Sequence, residues 1–189
     1  MKKKIVYVPL AVDFLHEGHI NILRIAKKYG DVIVGLLTDE AIANYKSIPI
    51  LDYKNRELLV ENLKYVSKVV PQKTEDYSYN LNKIKPNFFV HGDDWKYDNR
   101  KKTRAKVIKT LKKWSGKLIE PKYTKNISSF KIKNKILELA SLPENRVSRL
   151  KRLLSSKKIV RILESHNSLT GLIIENLKVN DKNKFLEFD

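Results

Sequence analysis

Cysteine is absent from the 189 residues. That removes a disulfide scaffold, a thiolate metal site and a cysteine nucleophile together. With only 4 His, few metal centres could be assembled either. Long apolar runs are missing too, and no stretch approaches the roughly 18–20 residues of a membrane span. No internal repeat or low-complexity tract is visible. The opening Met1-Lys-Lys-Lys-Ile-Val-Tyr-Val8 has the charge of a signal peptide, but the apolar run reaches Asp13 quickly and no small-residue cleavage site follows. It reads as a first strand, and the expected location is cytoplasmic.

What remains is enough for a globular core: 42% hydrophobic residues, with 6 Phe, 2 Trp and 9 Tyr. Acidic residues are scarce, 21 Asp+Glu against 39 Lys+Arg, for a net charge of +18. Such an excess first raises nucleic acid or an anionic surface as partner. Its distribution weakens that reading. Residues 1–95 hold 14 basic and 12 acidic side chains, residues 96–158 hold 21 and 4, and residues 159–189 hold 4 and 5. The excess belongs to one segment.

Hydrophobic patterning alternates short β-branched runs with helical spacing. Strands are expected at Ile5–Val12, Val32–Leu37, Lys68–Val70, Asn87–Val90 and Lys117–Glu120. Between them, Gly18–Tyr29 places Ile22, Ile25, Ala26 and Tyr29 on one helical face, and Asn55–Tyr65 presents Leu58, Leu59, Asn62, Leu63 and Val66. Further helices are expected from Asp39, up to Pro86, and over 100–114 and 129–140. This order predicts a parallel five-stranded α/β sheet with helices on both faces. Ligands then gather beyond the carboxyl ends of the strands. Ser141–Asn145 reads as a boundary, dividing a domain over 1–140 from a short appendage over 141–189.

His16-Glu-Gly-His19 sits where that rule points, directly after the first strand and at the start of a helix. Two imidazoles there can converge on one anionic oxygen, while Gly18 allows close approach and the helix end adds amide donors. That suits phosphoryl or nucleotidyl transfer, in which the protein mainly positions groups and stabilises developing charge. Two partly exposed turn histidines are the bland alternative. Lys46, after the second strand, could reach a triphosphate or be one more solvated lysine. Asp93 and Asp94 follow a strand end beside Trp95, where they could hold a cationic group, or where Trp95 simply fills the core. Ser128 and Ser129 precede an apolar-periodic helix, so one is an expected N-cap. The Glu expected three residues on is Lys131 instead, leaving an N-terminus suited to an external phosphate.

Taken in order, Val8-Pro-Leu-Ala-Val-Asp13-Phe-Leu-His16-Glu-Gly-His19, Lys46, Arg56, Val90-His-Gly92-Asp93-Asp94-Trp95 and Tyr123-Thr-Lys-Asn-Ile-Ser128-Ser129-Phe-Lys-Ile-Lys133 resemble the cytidylyltransferase-like nucleotidyltransferases with the His-x-Gly-His motif. The resemblance covers about residues 5–140. It implies a Rossmann-like nucleotidylyltransferase fold and CMP transfer from CTP with release of pyrophosphate. By the same resemblance His16, His19 and Lys46 would be catalytic. Asp13, Gly18, Gly92, Asp94, Ser128 and Ser129 would bind nucleotide, and Asp93 and Trp95 the base or acceptor. Mg²⁺ would arrive on the CTP phosphates, with no protein metal cluster. A homodimer is implied as well. The chain departs from the family at Pro9 and Asn126, where glycines are usual, and at Ala11 and Phe130, where hydroxyl residues are; each missing charge-assisted contact costs about 1.5–3 kcal/mol.

The tail carries a second resemblance. Arg149-Leu-Lys-Arg-Leu-Leu154, followed by Val160-Arg-Ile-Leu-Glu-Ser-His-Asn167 and onward to Asn176, is similar to the opening of phosphoenolpyruvate mutase. Such a barrel needs about 250 residues, so this is only its beginning, and as a bland alternative it is a docking helix and strand. Fusion of the two activities belongs to phosphonate biosynthesis, so the implied acceptor is a small phosphonate such as 2-aminoethylphosphonate. Glycerol-3-phosphate or phosphocholine transfer is the alternative. From another class comes a nucleotide- or nucleic-acid-binding module without catalysis. The basic segment then reads as attraction for a nucleotide, with Lys125, Lys131 and Lys133 nearest the signature, and nucleic acid is not expected as the main partner.

Overall fold

The computed structural model describes residues 3–44, 48–96, 100–124, 132, 143–157, 160, 164–176, 178–181 and 184–187. Five strands form the central sheet: β1 (Ile5–Leu10), β2 (Asp31–Leu37), β3 (Lys68–Gln72), β4 (Phe88–Val90) and β5 (Lys117–Ile119). All pairings are parallel, in the order β3-β2-β1-β4-β5. The order runs outward in both directions from β1, so the sheet is Rossmann-like. Its topological switch lies between β1 and β4.

Alternation along β1 divides the core. Val6, Val8 and Leu10 face one side, where α1 (Glu17–Lys27) contributes Leu23 and Ala26, and α3 (Tyr53–Glu61) contributes Val60. Tyr7 faces the other, packed with Leu81 of α4 (Ser78–Ile84) and Val107 and Leu111 of α5 (Lys101–Leu111). Between β2 and α3, Thr38 caps the short α2 (Asp39–Ala43) through its side-chain oxygen, which accepts from Ala41 N–H at 3.2 Å. Gly35 of β2 makes room for Tyr7: a Cβ there would stand 1.9 Å from the phenol oxygen. That hydroxyl donates to Gln72 Oε1 at 2.6 Å and accepts from Asn80 Nδ2 at 3.0 Å, so the buried polar cluster is satisfied internally.

The expected strands are all present, trimmed or extended by a few residues. Two helical faces differ from expectation. On α1 the buried pair is Leu23 and Ala26, while Tyr29 beyond its end is 37% exposed. On α3 part of the expected stripe points outward, with Leu58 62% and Leu59 44% exposed. Leu63 and Val66, beyond the helix end, pack on the core, and the buried residues of the helix itself are Arg56 and Val60. A guanidinium at the centre of the buried face inverts the apolar pattern, for reasons found at the site. The helix expected over 129–140 lies outside the described residues, apart from residue 132. In the tail, α6 (Pro143–Ser156) and α7 (Ser168–Asn176) precede an antiparallel pair, β6 (Lys178–Asp181) and β7 (Lys184–Glu187). None of the described helices is long and apolar enough to cross a membrane.

Candidate active site

The loop from β1 to α1 delivers both motif histidines to the carboxyl edge of the sheet. His16 is the N-cap of α1. Its Nδ1 accepts from Gly18 N–H at 3.1 Å, and His16 N–H in turn donates to His19 Nδ1 at 3.4 Å. This reciprocal cap brings the two rings to 3.9 Å between centroids. Because each Nδ1 accepts a backbone N–H, each neutral ring carries its hydrogen on Nε2. Two imidazole donors thus stand together at a helix N-terminus, a place that already favours anions. Burial holds the His16 pKa below its ordinary 6.5, against the opposing charge of Glu17, so the neutral form prevails at pH 7. Gly18 is required by the cap itself, since a Cβ would lie 2.9 Å from the His16 ring.

A frame of buried polar bonds fixes the backbone just before the histidines. Val12 sits at φ 51, an unfavourable conformation for a β-branched residue. It is held from both sides. Arg56 Nη1 donates to Ala11 O at 2.5 Å, and Asp13 Oδ1 accepts from Ile50 N–H at 2.6 Å. The Arg56 guanidinium also reaches Leu51 O at 3.2 Å and pairs with Asp39 Oδ1 at 2.7 Å, with none of its side chain exposed. Asp13 thus braces the loop from β1 to α1 against Ile50. Of the two departures described here, Ala11 still supplies its carbonyl to Arg56. Pro9 lies beyond the last β1–β4 pair, Tyr7 with Phe89.

The second wall follows β4. Gly92 accepts from His91 Nδ1 at 2.8 Å, which puts that ring's hydrogen on Nδ1. Asp93 Oδ1 accepts from Tyr123 N–H at 2.9 Å, and Asp94 pairs with Arg100 at 2.6 Å while lying 3.8 Å from His91. Trp95 is fully buried, stacked on His91 at 3.9 Å between centroids, with the parallel Phe89 ring 5.8 Å away beside them. Its indole Nε1 donates to Glu120 Oε1 at 2.7 Å. Trp95 therefore supports this wall from beneath, and its face is covered by protein. Tyr123 and Thr124 join the two walls, since Thr124 Oγ1 accepts from Asn21 of α1 at 3.4 Å.

Glu120 was not among the residues that the sequence singled out, yet it ties the second wall together. Arg104 grips both of its oxygens, at 2.8 and 2.9 Å, and Lys96 lies 3.4 Å away. The Arg104 bonds, aided by Trp95, hold its carboxyl down at about 2 from the ordinary 4.5, against burial. A lowered carboxylate pKa stabilises the fold above pH 4.5, and that contribution is lost as pH falls from about 4.5 to 2. Glu120→Gln is accordingly expected to lower stability at pH 7 by on the order of 1–3 kcal/mol. The gap to the native protein should close by pH 2, as read from urea midpoints across that range.

Lys46, Ser128 and Ser129, with the departures Asn126 and Phe130, lie outside the described residues. Among the described residues no group of three or more His, Asp or Glu is placed to hold a metal ion.

Comparison with known proteins agrees with this fold. Residues 12–135 match the family described as Cytidylyltransferase-like. Over 97 residues the chain is 37% identical to a glycerol-3-phosphate cytidylyltransferase of Bacillus subtilis (strain 168), covering 50% of this chain and 74% of that protein. It is 34% identical over 137 residues to an ethanolamine-phosphate cytidylyltransferase of Dictyostelium discoideum, covering 70% of this chain and 36% of that one. Among solved structures, the lipopolysaccharide core biosynthesis protein from Thermoplasma volcanium GSS1 superposes with a TM-score of 0.55 at 26% identity, over 67% of this chain and all of that one.

Proposed function

The chain belongs to the cytidylyltransferase-like family, and from that premise we propose that it transfers CMP from CTP to a small phosphonate, such as 2-aminoethylphosphonate. The observation that carries the transfer chemistry is the histidine pair at the N-terminus of α1, at the switch point of the sheet. An acceptor oxygen attacks the α-phosphorus in line, the bond to the bridging oxygen breaks, and pyrophosphate leaves. His16 and His19 donate Nε2–H to the oxygens on which charge builds up, in a site that needs no reorganisation at that moment. Lys46, Ser128 and Ser129 hold the triphosphate. Asp13 and Gly18 keep the first loop in place, while Gly92, Asp93 and Asp94 wall the base and acceptor, with Trp95 packed behind them. Mg²⁺, when bound through the CTP phosphates, would supply charge neutralisation there.

The phosphonate acceptor rests on the mutase-like tail, whereas the names of the two relatives favour a phosphate ester, glycerol-3-phosphate or phosphoethanolamine, equally well. Pyrophosphate release decides between them. It is measured with each of the four nucleoside triphosphates against 2-aminoethylphosphonate, glycerol-3-phosphate, phosphoethanolamine and phosphocholine. The expected result is release with CTP and 2-aminoethylphosphonate. Preference for a phosphate ester would overturn the acceptor alone. No release with any pair, together with steeply salt-dependent RNA or DNA binding, would overturn catalysis and favour the non-catalytic module.

A further inference from the structure

We infer that Arg152, on helix α6 beyond the family-matched residues 12–135, is a positioning residue for the histidine turn, acting through residues 48–52 ahead of α3. The inference rests on the transfer reading above, because Ile50 N–H also holds Asp13, three residues before His16. Arg152 Nη1 donates to Ile50 O, and its Nη2 lies 3.8 Å from Asp39 Oδ2. Ile50 is thereby held through both of its backbone polar groups, its N–H by Asp13 and its carbonyl by Arg152. Asp39 is shared as well, between Arg56 of the domain core and Arg152 of the tail. The neighbouring Leu153 is 7% exposed, which seats the helix on the domain beside α2. Arg152 Nη2 is buried against this face and makes no hydrogen bond among the described residues, while the side chain as a whole stays partly exposed. The site loop is consequently clamped from one side by the first strand's loop and from the other by the tail.

The clamp predicts a division of effects. Arg152→Ala should raise the Kd and KM for Mg·CTP about tenfold, the scale of one lost charge-assisted hydrogen bond. Its kcat at saturating CTP and its Tm should stay close to those of the native chain. Arg152→Lys, which can still donate to Ile50 O, should recover most of the affinity. Lys151→Ala, one residue away and exposed, should change neither. Amide exchange at residues 48–53 should quicken in Arg152→Ala while residues 105–111 keep their protection. Unchanged CTP affinity and unchanged loop exchange in Arg152→Ala would overturn the proposal, as would an equal fall in Tm and kcat. If the native chain binds no CTP, the transfer reading fails and Arg152's part in it fails too. Faster exchange at 48–53 would then show that the clamp exists apart from that reading.

Discussion

Substituting either motif histidine is expected to reduce pyrophosphate release at least 10²–10³-fold in kcat, the scale for removing one preorganised donor from a developing oxyanion. The KM for CTP should move far less, because the donors act on charge that appears only in the transition state. His16→Ala alone would be ambiguous. His16 is also the cap of α1, and losing a cap costs about 1 kcal/mol. His16→Asn separates the roles, since its side-chain oxygen can still accept from the Gly18 amide but no Nε2–H remains. His19→Asn likewise keeps a short polar group beside the His16 N–H. Both asparagine variants should therefore unfold close to the native temperature and remain nearly inactive. The double variant should be little worse than either single one, because the rings 3.9 Å apart serve the same oxygens. Full pyrophosphate release from either variant would sink the mechanism.

The largest expected loss of stability belongs to Arg56→Met. The guanidinium is wholly buried and makes three kinds of bond at once: to Asp39, to Ala11 O and to Leu51 O. Removing one partner of a buried pair costs about 3–5 kcal/mol, most of it from the charge and carbonyls left behind. Here the deserted groups are Asp39 and the Ala11 carbonyl, next to the left-handed Val12. Arg56→Met should thus lower the denaturant midpoint and also weaken CTP binding, as the loop before His16 relaxes. Arg56→Met combined with Asp39→Asn should recover part of the stability, since the oxygen that faced the lost guanidinium then carries no charge. Recovery of stability without recovery of CTP affinity would show that the pair positions the loop. A single variant as stable as the native chain would refute the assignment.

Arg56 also shows why one part of the fold could not be read from the chain. Apolar periodicity selected Leu58, Leu59 and Leu63 as the inner face of α3, and two of these point to solvent. The rule fails where a buried position is polar, and Arg56 is tolerated there only because Asp39, 17 residues away, supplies the opposite charge. Glu120 escaped notice for the same reason: its partners Trp95 and Arg104 stand 25 and 16 residues away and meet it only through the sheet. For Trp95 the sequence left two readings open, an indole against the substrate or an indole in the core. Stacking on Phe89 and His91 decides for burial.

The sequence by itself determined the parallel α/β order and the place of the His16-Glu-Gly-His19 cap. Strand patterning and helix capping are local, so neighbouring residues carry all the information they need. Its scarcities were informative as well, because with no cysteine and four histidines the chemistry had to rest on few groups. Only the tertiary structure decided what holds those groups in place. The Arg56–Asp39 pair, the Glu120 tie and the reach of Arg152 to Ile50, 102 residues distant, join charges that have no sequence neighbourhood. Each becomes stable only after folding removes water from around it.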